Sequence, residues 1–429
     1  MKFLIILNND FDGVGQPAIN LSSNLKKKGH KTKIITLHKK SENKDIIKIK
    51  RSIISRIFLF ILSFLMKDFS DLFGFGYSTV RYSEIEEHVE ESDVIIIYTF
   101  YKIISNKMLS KILSTKKIIY FRPLDIELAT GGCHFNETCQ KFKSDCKNCP
   151  RLYFDLLNLP NENLIKKKEI FEYFKPLVFV QNNYVKNIFK KSTVFKNIKT
   201  QTVYLGANQN RSKFYSKKNA RKILKIDQNE KIVLFGTFNL ASHVKGGHIL
   251  IDSLKLLEFK YLKNKQKKNF SKKIRLLTIG EKNTFNLDTT IIKWTHLGKV
   301  SSDKKLNLLY RAADVLVCPS LYCFGPHIVT EALLNDLPVV AFDSGVAQDS
   351  IVNGLNGYLV PCYDKSIFAK SIYKILSNTR NNKINNKIRK IKSFCSSTYE
   401  ANTIIKKAKS DLKIKRRDNT ERINYKFNS

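Results

Sequence analysis

The sequence predicts an α/β protein built from two doubly wound domains, each with a parallel β-sheet. The chain has 429 residues, more than one ordinary hydrophobic core accommodates. Short apolar runs of strand length recur in both halves and are separated by segments with helical spacing. Two predicted strands of the second half end at glycine, Gly236 and Gly280, and glycine lets a backbone approach a ligand closely.

The first predicted unit is a strand, a glycine-containing loop, a helix and a second strand. Residues 2–7 have the length and composition of a buried parallel strand. Residues 8–16 are expected to form a loop, after which Pro17 opens a helix at its first position and Gly29 ends it. Residues 33–37 form the next strand. The loop lacks the G-x-G-x-x-G pattern, so the dinucleotide-binding fingerprint is absent.

The remaining elements fall into two series, which define the predicted domains. Further strands of the first series are predicted at residues 93–98, 117–121 and 177–181. The second series comprises residues 231–236, 246–257, 273–280, 307–320 and 331–342. We therefore predict an N-terminal domain at 1–205 with a cysteine-rich insertion at 130–152, a hinge at 206–216, a second domain at 217–395, and a basic helix with a frayed tail at 396–429.

The formal net charge of +39 indicates an anionic partner such as nucleic acid, a phosphorylated ligand or an acidic membrane surface. A solvated lysine surface explains much of the same charge equally well. The sequence has no RNA- or DNA-binding motif and no interleaving of aromatic and basic residues. Nucleic-acid binding is therefore kept only as a minor alternative, and no nucleic-acid partner is predicted.

The apolar runs predict a cytoplasmic protein. No cleavage site follows the short run at residues 3–7, which indicates that no signal peptide is present. The longest run, IISRIFLFILSFLM at residues 53–66, is interrupted by Arg56 and is shorter than the roughly 20 residues that a membrane span needs. Flanking basic residues favour an interfacial helix on the inner face of the cytoplasmic membrane. A core helix or an apolar acceptor groove remains an alternative.

Residues 325–360, GPHIVTEALLNDLPVVAFDSGVAQDSIVNGLNGYLV, have the composition of a binding surface. Gly325 and Pro326 form a turn before a helix, whose first N–H groups favour an anion. Glu331 in that helix is suited to two adjacent hydroxyls, as on a ribose, and Lys245 offers a positive charge to a phosphate. Together these residues suit a nucleoside diphosphate. Taken singly, Glu331 could be a capping or surface carboxylate and Lys245 a solvated lysine.

The order of these motifs closely resembles the donor domain of glycosyltransferase family 4, which has the two-Rossmann-domain GT-B fold. The matching motifs are KGGHILIDSL, HLGKV at 296–300, AADVLVCPS at 312–320 and the stretch that begins GPHIVTEAL. In the first half, DGVGQPAINLSSNLKKKGH at 12–30 resembles the family's first glycine loop and helix. The segment TGGCHFNETCQKFKSDCKNCPRL at 130–152 resembles an insertion of the branch that works on cell-surface polysaccharides. The resemblance covers most of residues 1–395.

The resemblance implies two Rossmann-like domains that face each other across a cleft, and an enzyme that transfers a sugar with its anomeric configuration retained. The donor would be a UDP- or GDP-sugar. The acceptor would be a glycan or lipid-linked molecule in the synthesis of capsule, O-antigen or lipopolysaccharide. Catalysis in such enzymes requires no metal, because a basic residue and helix dipoles stabilise the leaving diphosphate.

The resemblance also implies roles for individual residues. Lys245 would hold the diphosphate and Glu331 the ribose, as the two catalytic candidates. The other donor-binding candidates are Gly13, Gly15, Gly236, Gly280, Gly298, Gly325, Pro326, His327 and Ile328. The acceptor-side candidates are Arg122, Asp125 and His134.

Three positions depart from the family pattern. No acid stands at Tyr322-Cys323-Phe324, where the family usually has one. The segment TFNLASHV at 237–244 has only His243 where the family often has Arg or Lys. Leu124 precedes Asp125 where many members have histidine. A nucleotide-sugar-binding protein with weak catalysis is therefore an alternative function.

Four cysteines lie close together in the insertion, namely Cys133, Cys139, Cys146 and Cys149. Cys146 and Cys149 have the C-x2-C spacing of half a zinc site, so the four thiolates are predicted to bind a structural zinc ion. His134 is an alternative ligand. Reduced cysteines that pack as small apolar groups, or disulfides formed only on crystallisation, remain as alternatives.

Overall fold

The computed structural model describes residues 1–67, 73–155, 157–207, 215–263, 273–300, 302–322, 324–325, 327–377 and 386–427. The chain divides into two compact units. The N-terminal unit comprises Met1–Gln181, Val185–Tyr204 and Ser397–Ser429, and the C-terminal unit comprises Asn182–Tyr184 and Leu205–Ser396. Within the described residues, no helix combines the length and the apolar character that crossing a membrane requires.

The N-terminal unit is built on a seven-stranded parallel sheet. Its strands are β1 (Lys2–Asn9), β2 (Lys31–His38), β3 (Ile46–Lys48), β4 (Val94–Ile97), β5 (Ile118–Phe121), β6 (Leu177–Val180) and β7 (Thr200–Thr202). They lie in the order β3-β2-β1-β4-β5-β6-β7. The central strands consist of buried isoleucine, leucine, valine and aromatic residues, as expected of parallel strands covered on both faces.

In the described part of this unit, seven helices accompany the strands. They are α1 (Asp12–Lys27), α2 (Ile53–Ser63), α3 (Glu86–Glu90), α4 (Asn106–Leu113), α5 (Leu159–Phe174), α6 (Asn183–Lys191) and, at the C-terminal end, α14 (Ser397–Phe427). The prediction that a loop extends to Gln16 was wrong, because α1 begins at Asp12 and Pro17 lies inside it. Proline has no N–H, so Pro17 cannot donate a hydrogen bond to the Gly13 carbonyl oxygen four residues earlier, and α1 continues without that bond.

The C-terminal unit is built on a six-stranded parallel sheet in the order β10-β9-β8-β11-β12-β13. The strands are β8 (Lys231–Asn239), β9 (Ile274–Glu281), β10 (Ile292–His296), β11 (Val315–Cys318), β12 (Val339–Phe342) and β13 (Gly357–Val360). The helices are α7 (Lys217–Ile223), α8 (Gly247–Leu257), α9 (Asp303–Ala312), α10 (His327–Leu334), α11 (Val346–Ser350), α12 (Lys365–Ser377) and α13 (Asn386–Phe394).

The boundary between the units falls at Tyr204 and Leu205, and residues 208–214 of the predicted hinge lie outside the described residues. The C-terminal helix α14 belongs to the N-terminal unit. It contacts α1, where Asn24 Nδ2 donates to Ser397 Oγ at 3.0 Å, and β5, where Tyr120 OH donates to Asp411 Oδ2 at 2.7 Å.

A fully buried ion pair between Arg122 and Glu400 attaches α14 to the sheet. The Nε and Nη2 atoms of Arg122 lie 3.0 and 2.9 Å from Oε1 of Glu400, and Nη1 donates to the Phe179 carbonyl oxygen at 3.2 Å. Burial and the Glu400 carboxylate raise the pKa of the nearby Tyr98 hydroxyl well above its usual value. Arg122 therefore has a structural role and no exposed atom to offer an acceptor.

We expect Arg122→Met to destabilise the protein by about 3–5 kcal/mol, because it leaves the Glu400 carboxylate buried without a counter-charge. The double variant R122M/E400L should recover most of that loss, since the second change removes the stranded charge. Unfolding in guanidinium would measure the change in the free energy of unfolding for the single and the double variant. Lys33→Ala breaks an exposed pair with Glu91 and serves as the control, with an expected change within about 0.5 kcal/mol. Equal losses in the single and double variants would contradict this account.

Candidate functional site

Glycines at the carboxyl ends of β8 and β9 bring several predicted donor residues together. A Cβ atom on Gly236 would lie 2.6 Å from both Ile279 and Ile328, so glycine there lets the start of α10 approach the sheet. Gly280 has φ +128°, and a Cβ atom on it would overlap a backbone carbonyl oxygen of β8. The Gly280 N–H donates to the Gly298 carbonyl oxygen at 2.9 Å.

Lys245 ends a short 3-10 turn, His243–Lys245, between β8 and α8. The next residue, Gly246, has φ +71°, and a Cβ atom on it would overlap the Pro319 carbonyl oxygen. The Leu321 N–H donates to a carbonyl oxygen of the same turn at 3.0 Å. Lys245 is half-buried. The turn that positions it is thus attached to the segment that leads from β11 to α10.

Glu331 lies in the second turn of α10, and two side chains hold its carboxylate. Tyr310 OH donates to Oε2 at 2.7 Å, and Nδ1 of His327 lies 3.3 Å from Oε1. Burial and the Glu331 charge raise the pKa of Tyr310, so its hydroxyl stays protonated as a donor. A carboxylate oxygen can accept more than one hydrogen bond, so a carboxylate fixed in this way is suited to the hydroxyls of a ligand.

A cavity of about 20 Å³ lies beside the Glu331 carboxylate, towards α9. Its lining includes Tyr310, Asp303 and Asn307. This volume is about that of one water molecule. Sequence reasoning missed Tyr310, because nothing in its helix marks its contact with a carboxylate 21 residues later.

The segment before α10 is where the family pattern would place an acid. Tyr322 OH lies 3.1 Å from Tyr363 OH, and Phe324 is buried. The Asn182 side-chain amide donates to the Phe324 carbonyl oxygen. Gly325 is half-buried. The predicted donor residue Pro326, and Cys323, lie outside the described residues.

Gly13 and Gly15 lie in the first turn of α1, in the N-terminal unit. Gly13 is exposed, and a Cβ atom there would meet nothing within 4 Å. Gly15 is buried, and a Cβ atom there would overlap the backbone of Asp10. Gly15 is therefore needed for packing, and a role of either glycine towards a donor stays a prediction.

The acceptor-side candidates Asp125 and His134 form part of a buried charged cluster. His134 Nδ1 lies 2.6 Å from Asp125 Oδ2, and its Nε2 lies 3.7 Å from Glu127 Oε2. Burial opposes protonation of His134, but the two carboxylates outweigh it and raise the pKa of the imidazole. Lys167 Nζ donates to the carbonyl oxygens of Glu127 and Thr130. Sequence reasoning missed Glu127 and Lys167.

The four cysteines of the insertion, Cys133, Cys139, Cys146 and Cys149, are free thiols that lie near one another. Within the described residues, the potential ligand atoms that all lie within 4.8 Å of one another belong to Asp125, Glu127 and His134, and to none of the cysteines. A zinc ion held by four thiolates needs all four sulfur atoms around one point, so the structural zinc ion stays a prediction.

Hydrogen bonding and charge link the four thiols. The Cys133 thiol donates to Cys149, which lowers the pKa of Cys149 to about 7. Burial raises the pKa of Cys146, and the nearby charges of Cys139 and Cys149 add to that effect. Cys139 is half-buried, and its backbone N–H donates to the Asn136 carbonyl oxygen at 2.7 Å in a local turn.

The other cysteines take part in apolar packing. Cys149 is buried in a cluster with Leu59 and Leu62 of α2 and with Met66, and Cys133 packs against it. Burial raises the pKa of Cys146 to about 11, so that side chain stays a neutral thiol. This arrangement favours the interpretation of reduced cysteines that act as small apolar groups.

Comparison with known proteins relates both the fold and this site to one class. Residues 216–391 match the family model of glycosyl transferases group 1. A search of curated proteins gives no match.

Three solved structures resemble nearly the whole chain. Sucrose-phosphate synthase from Thermosynechococcus elongatus has a TM-score of 0.68 at 16% identity, with 96% of this chain and 99% of that one covered. HepE from Anabaena in complex with UDP-glucose has a TM-score of 0.58 at 14% identity, with 96% and 99% covered. WaaG, a glycosyltransferase involved in lipopolysaccharide biosynthesis, has a TM-score of 0.56 at 13% identity, with 93% and 97% covered.

The two parallel-sheet units therefore have the GT-B fold, as the sequence predicted. Residues 216–391, which include Lys245 and Glu331, have the pattern of glycosyl transferases group 1, and the protein is a glycosyltransferase.

We expect Gly246→Ala to lower the melting temperature more than Gly354→Ala. Both glycines have positive φ, +71° and +78°, so alanine costs about 1–2 kcal/mol at either site. Only at Gly246 would the new Cβ also overlap a carbonyl oxygen, whereas the space at Gly354 is open. The difference in melting temperature between the two variants measures the cost of that overlap. Equal melting temperatures would show that the turn can shift without cost.

Proposed function

We propose that the protein transfers a sugar, with retained configuration, from a UDP- or GDP-sugar to an acceptor in surface-polysaccharide synthesis. The observation that carries this proposal is the attachment of the Lys245 turn to the segment that leads into α10, which bears Glu331. A phosphate-binding cation and a ribose-binding carboxylate thus emerge at the carboxyl edge of one parallel sheet, where doubly wound domains bind ligands.

The proposed chemistry is the exchange of one C–O bond for another at the anomeric carbon. The bond from that carbon to the diphosphate breaks, a bond to the acceptor oxygen forms, and the proton of the acceptor hydroxyl passes to the leaving diphosphate. Negative charge grows on the leaving diphosphate. Lys245 and the N-terminal N–H groups of α8 and α10 can stabilise that charge, because a helix N-terminus carries a partial positive charge.

The resembling structures support the donor class and the process. HepE was solved with UDP-glucose and with UDP, and WaaG is described as acting in lipopolysaccharide biosynthesis. Glu331 suits a ribose because its carboxylate is held in place by Tyr310 and His327. Tyr322 lies in the segment where the family pattern has an acid, and its hydroxyl pairs with that of Tyr363; we propose that this pair affects the choice of sugar.

We expect Glu331→Gln to lower kcat/KM for the nucleotide sugar by roughly 10- to 150-fold, the equivalent of about 1.5–3 kcal/mol for hydrogen bonds to a charged group. Release of UDP or GDP from a panel of nucleotide sugars would measure it. The exposed variant Glu91→Gln should leave the rate unchanged. Unaltered kinetics in Glu331→Gln would remove Glu331 from the donor site.

The same panel decides between an enzyme and the alternative of a weak nucleotide-sugar-binding protein. If the wild-type protein binds a nucleotide sugar, as shown by a raised melting temperature, but neither hydrolyses nor transfers it, the binding function is correct. Turnover of any donor in the panel supports the enzyme.

We also propose that the protein attaches peripherally to an anionic membrane through α2. Leu59 and Leu62 face the core, whereas the opposite side of the helix is apolar and exposed. The exposed apolar residues in and just after the helix are Ile53, Ile54, Ile57, Phe58, Phe60, Ile61 and Phe64, with exposures from 42% to 78%. Monomeric proteins rarely expose so contiguous an apolar surface without a function.

We expect the protein to cosediment with vesicles of phosphatidylcholine and phosphatidylglycerol, and binding should weaken as salt is added. Ile54→Asp should lower the partition coefficient at least tenfold, because transfer of an isoleucine from water is worth about 1.5–3 kcal/mol. Ile223→Asp alters an exposed isoleucine of the C-terminal unit and should have no effect. Equal binding to neutral and anionic vesicles would contradict the electrostatic part of the proposal.

A further inference from the structure

A groove of about 470 Å³ runs beside α2 in the N-terminal unit. Its apolar lining residues all belong to α2, and we call them the apolar wall. Three basic lining residues, Arg51, Lys102 and Arg56 (the last also on α2), are called the basic wall. The lining residues are Arg51, Ile53, Arg56, Ile57, Leu59, Phe60, Ser63, Thr79 and Lys102.

Three of the nine lining residues are cations and none is acidic. In the described part of the chain, neither Arg51 nor Arg56 forms an ion pair. Burial and the neighbouring Arg56 charge lower the pKa of Arg51, yet a guanidinium stays protonated in proteins. Burial and the charges of Arg51, Lys48 and Lys102 lower the pKa of His38. The groove therefore concentrates positive charge that protein carboxylates do not neutralise.

Lys102 is held in the groove in a strained backbone conformation. Its φ is +60°, in the left-handed region that is unfavourable for a residue other than glycine. The Lys102 carbonyl oxygen accepts hydrogen bonds from the Thr79 N–H and hydroxyl, both at 2.8 Å. These bonds fix the strained residue beside the two arginines. Strain of this kind is typical of ligand sites.

The two walls together match an amphiphile with a strongly anionic head. An unmodified glycan would leave the apolar wall of Ile53, Ile57 and Phe60 without a partner. Inorganic phosphate would do the same. A phosphodiester headgroup of a bulk membrane lipid carries one negative charge, whereas a diphosphate carries more and better balances three cations.

We propose that this basic groove binds the diphosphate of a lipid-linked acceptor, with the lipid chain along the exposed face of α2. The inference rests on the proposed function and narrows its acceptor to the lipid-linked class. Arg51 and Arg56 present paired N–H donors that suit phosphate oxygens, and Lys102 adds a third positive charge. The apolar wall contacts the first part of the lipid chain as it leaves the membrane.

Binding of farnesyl diphosphate to the full chain tests this proposal by calorimetry. We expect the double variant R51Q/R56Q to bind at least tenfold more weakly than the wild-type protein. The matched double variant K44Q/K50Q removes two exposed charges of the same region that do not line the groove, and it should bind as the wild type does. Lys102→Met is the second test of the basic wall and should also weaken binding.

Three further probes separate the contributions of the diphosphate and of the lipid chain to binding. Farnesol lacks the diphosphate and inorganic pyrophosphate lacks the lipid, so each should bind at least tenfold more weakly than farnesyl diphosphate. Monomeric dihexanoyl phosphatidylglycerol, which offers no membrane surface to α2, should not displace farnesyl diphosphate. Equal binding of either fragment, displacement by this short-chain phospholipid, or equal losses in R51Q/R56Q and K44Q/K50Q would overturn the proposal, and displacement would identify a bulk phospholipid site.

Failure of this inference is distinguishable from failure of the proposed function. R51Q/R56Q should keep the melting temperature of the wild-type protein and its stabilisation by a nucleotide sugar, because both arginines belong to the N-terminal unit, whereas Lys245 and Glu331 belong to the C-terminal unit. A wild-type protein that no nucleotide sugar stabilises would refute the donor function instead, whatever the groove binds.

Discussion

Both sheets consist only of parallel strands, and the placement of the candidate site depends on this constraint. Parallel strands need long crossover connections, so the segments that follow β8, β9 and β11 all emerge at one edge of the C-terminal sheet. That edge gathers Lys245, Gly280 and Glu331 from distant parts of the chain. At this edge, glycine lets neighbouring segments of the chain approach each other closely. At Gly236, for example, the absence of a side chain leaves room for Ile328.

The basic residues that give the chain its large positive charge have different roles in different parts of the structure. Arg122 is neutralised by Glu400 inside the N-terminal unit and serves stability. Arg51 and Arg56 line a groove that has no acid, beside a helix whose outer face is apolar. Composition alone could not separate these uses, because an arginine in a buried pair and one in a binding groove count equally in a net charge.

Regular local structure was predictable because it is encoded by short-range patterns. The strands predicted at 93–98 and 117–121 correspond to β4 and β5 within a residue or two, since a buried parallel strand is a continuous apolar run. The start of α1 was misplaced because proline at a first helical turn is only a statistical preference, and Pro17 lies further inside the helix. The candidates Lys245 and Glu331 were found from motifs, but Tyr310, which holds the Glu331 carboxylate, carries no motif.

The sequence by itself determined the two α/β series and the donor motifs, because periodicity and glycine placement are local properties, and the resemblance of those motifs to a known family implied the GT-B fold. Tertiary structure decided which polar side chains are available. It buried Arg122 against Glu400, which lies 278 residues away in the sequence. It also left one side of α2 exposed above a basic groove. The physical reason is that burial and pairing depend on contacts between residues far apart in sequence, which no local pattern records.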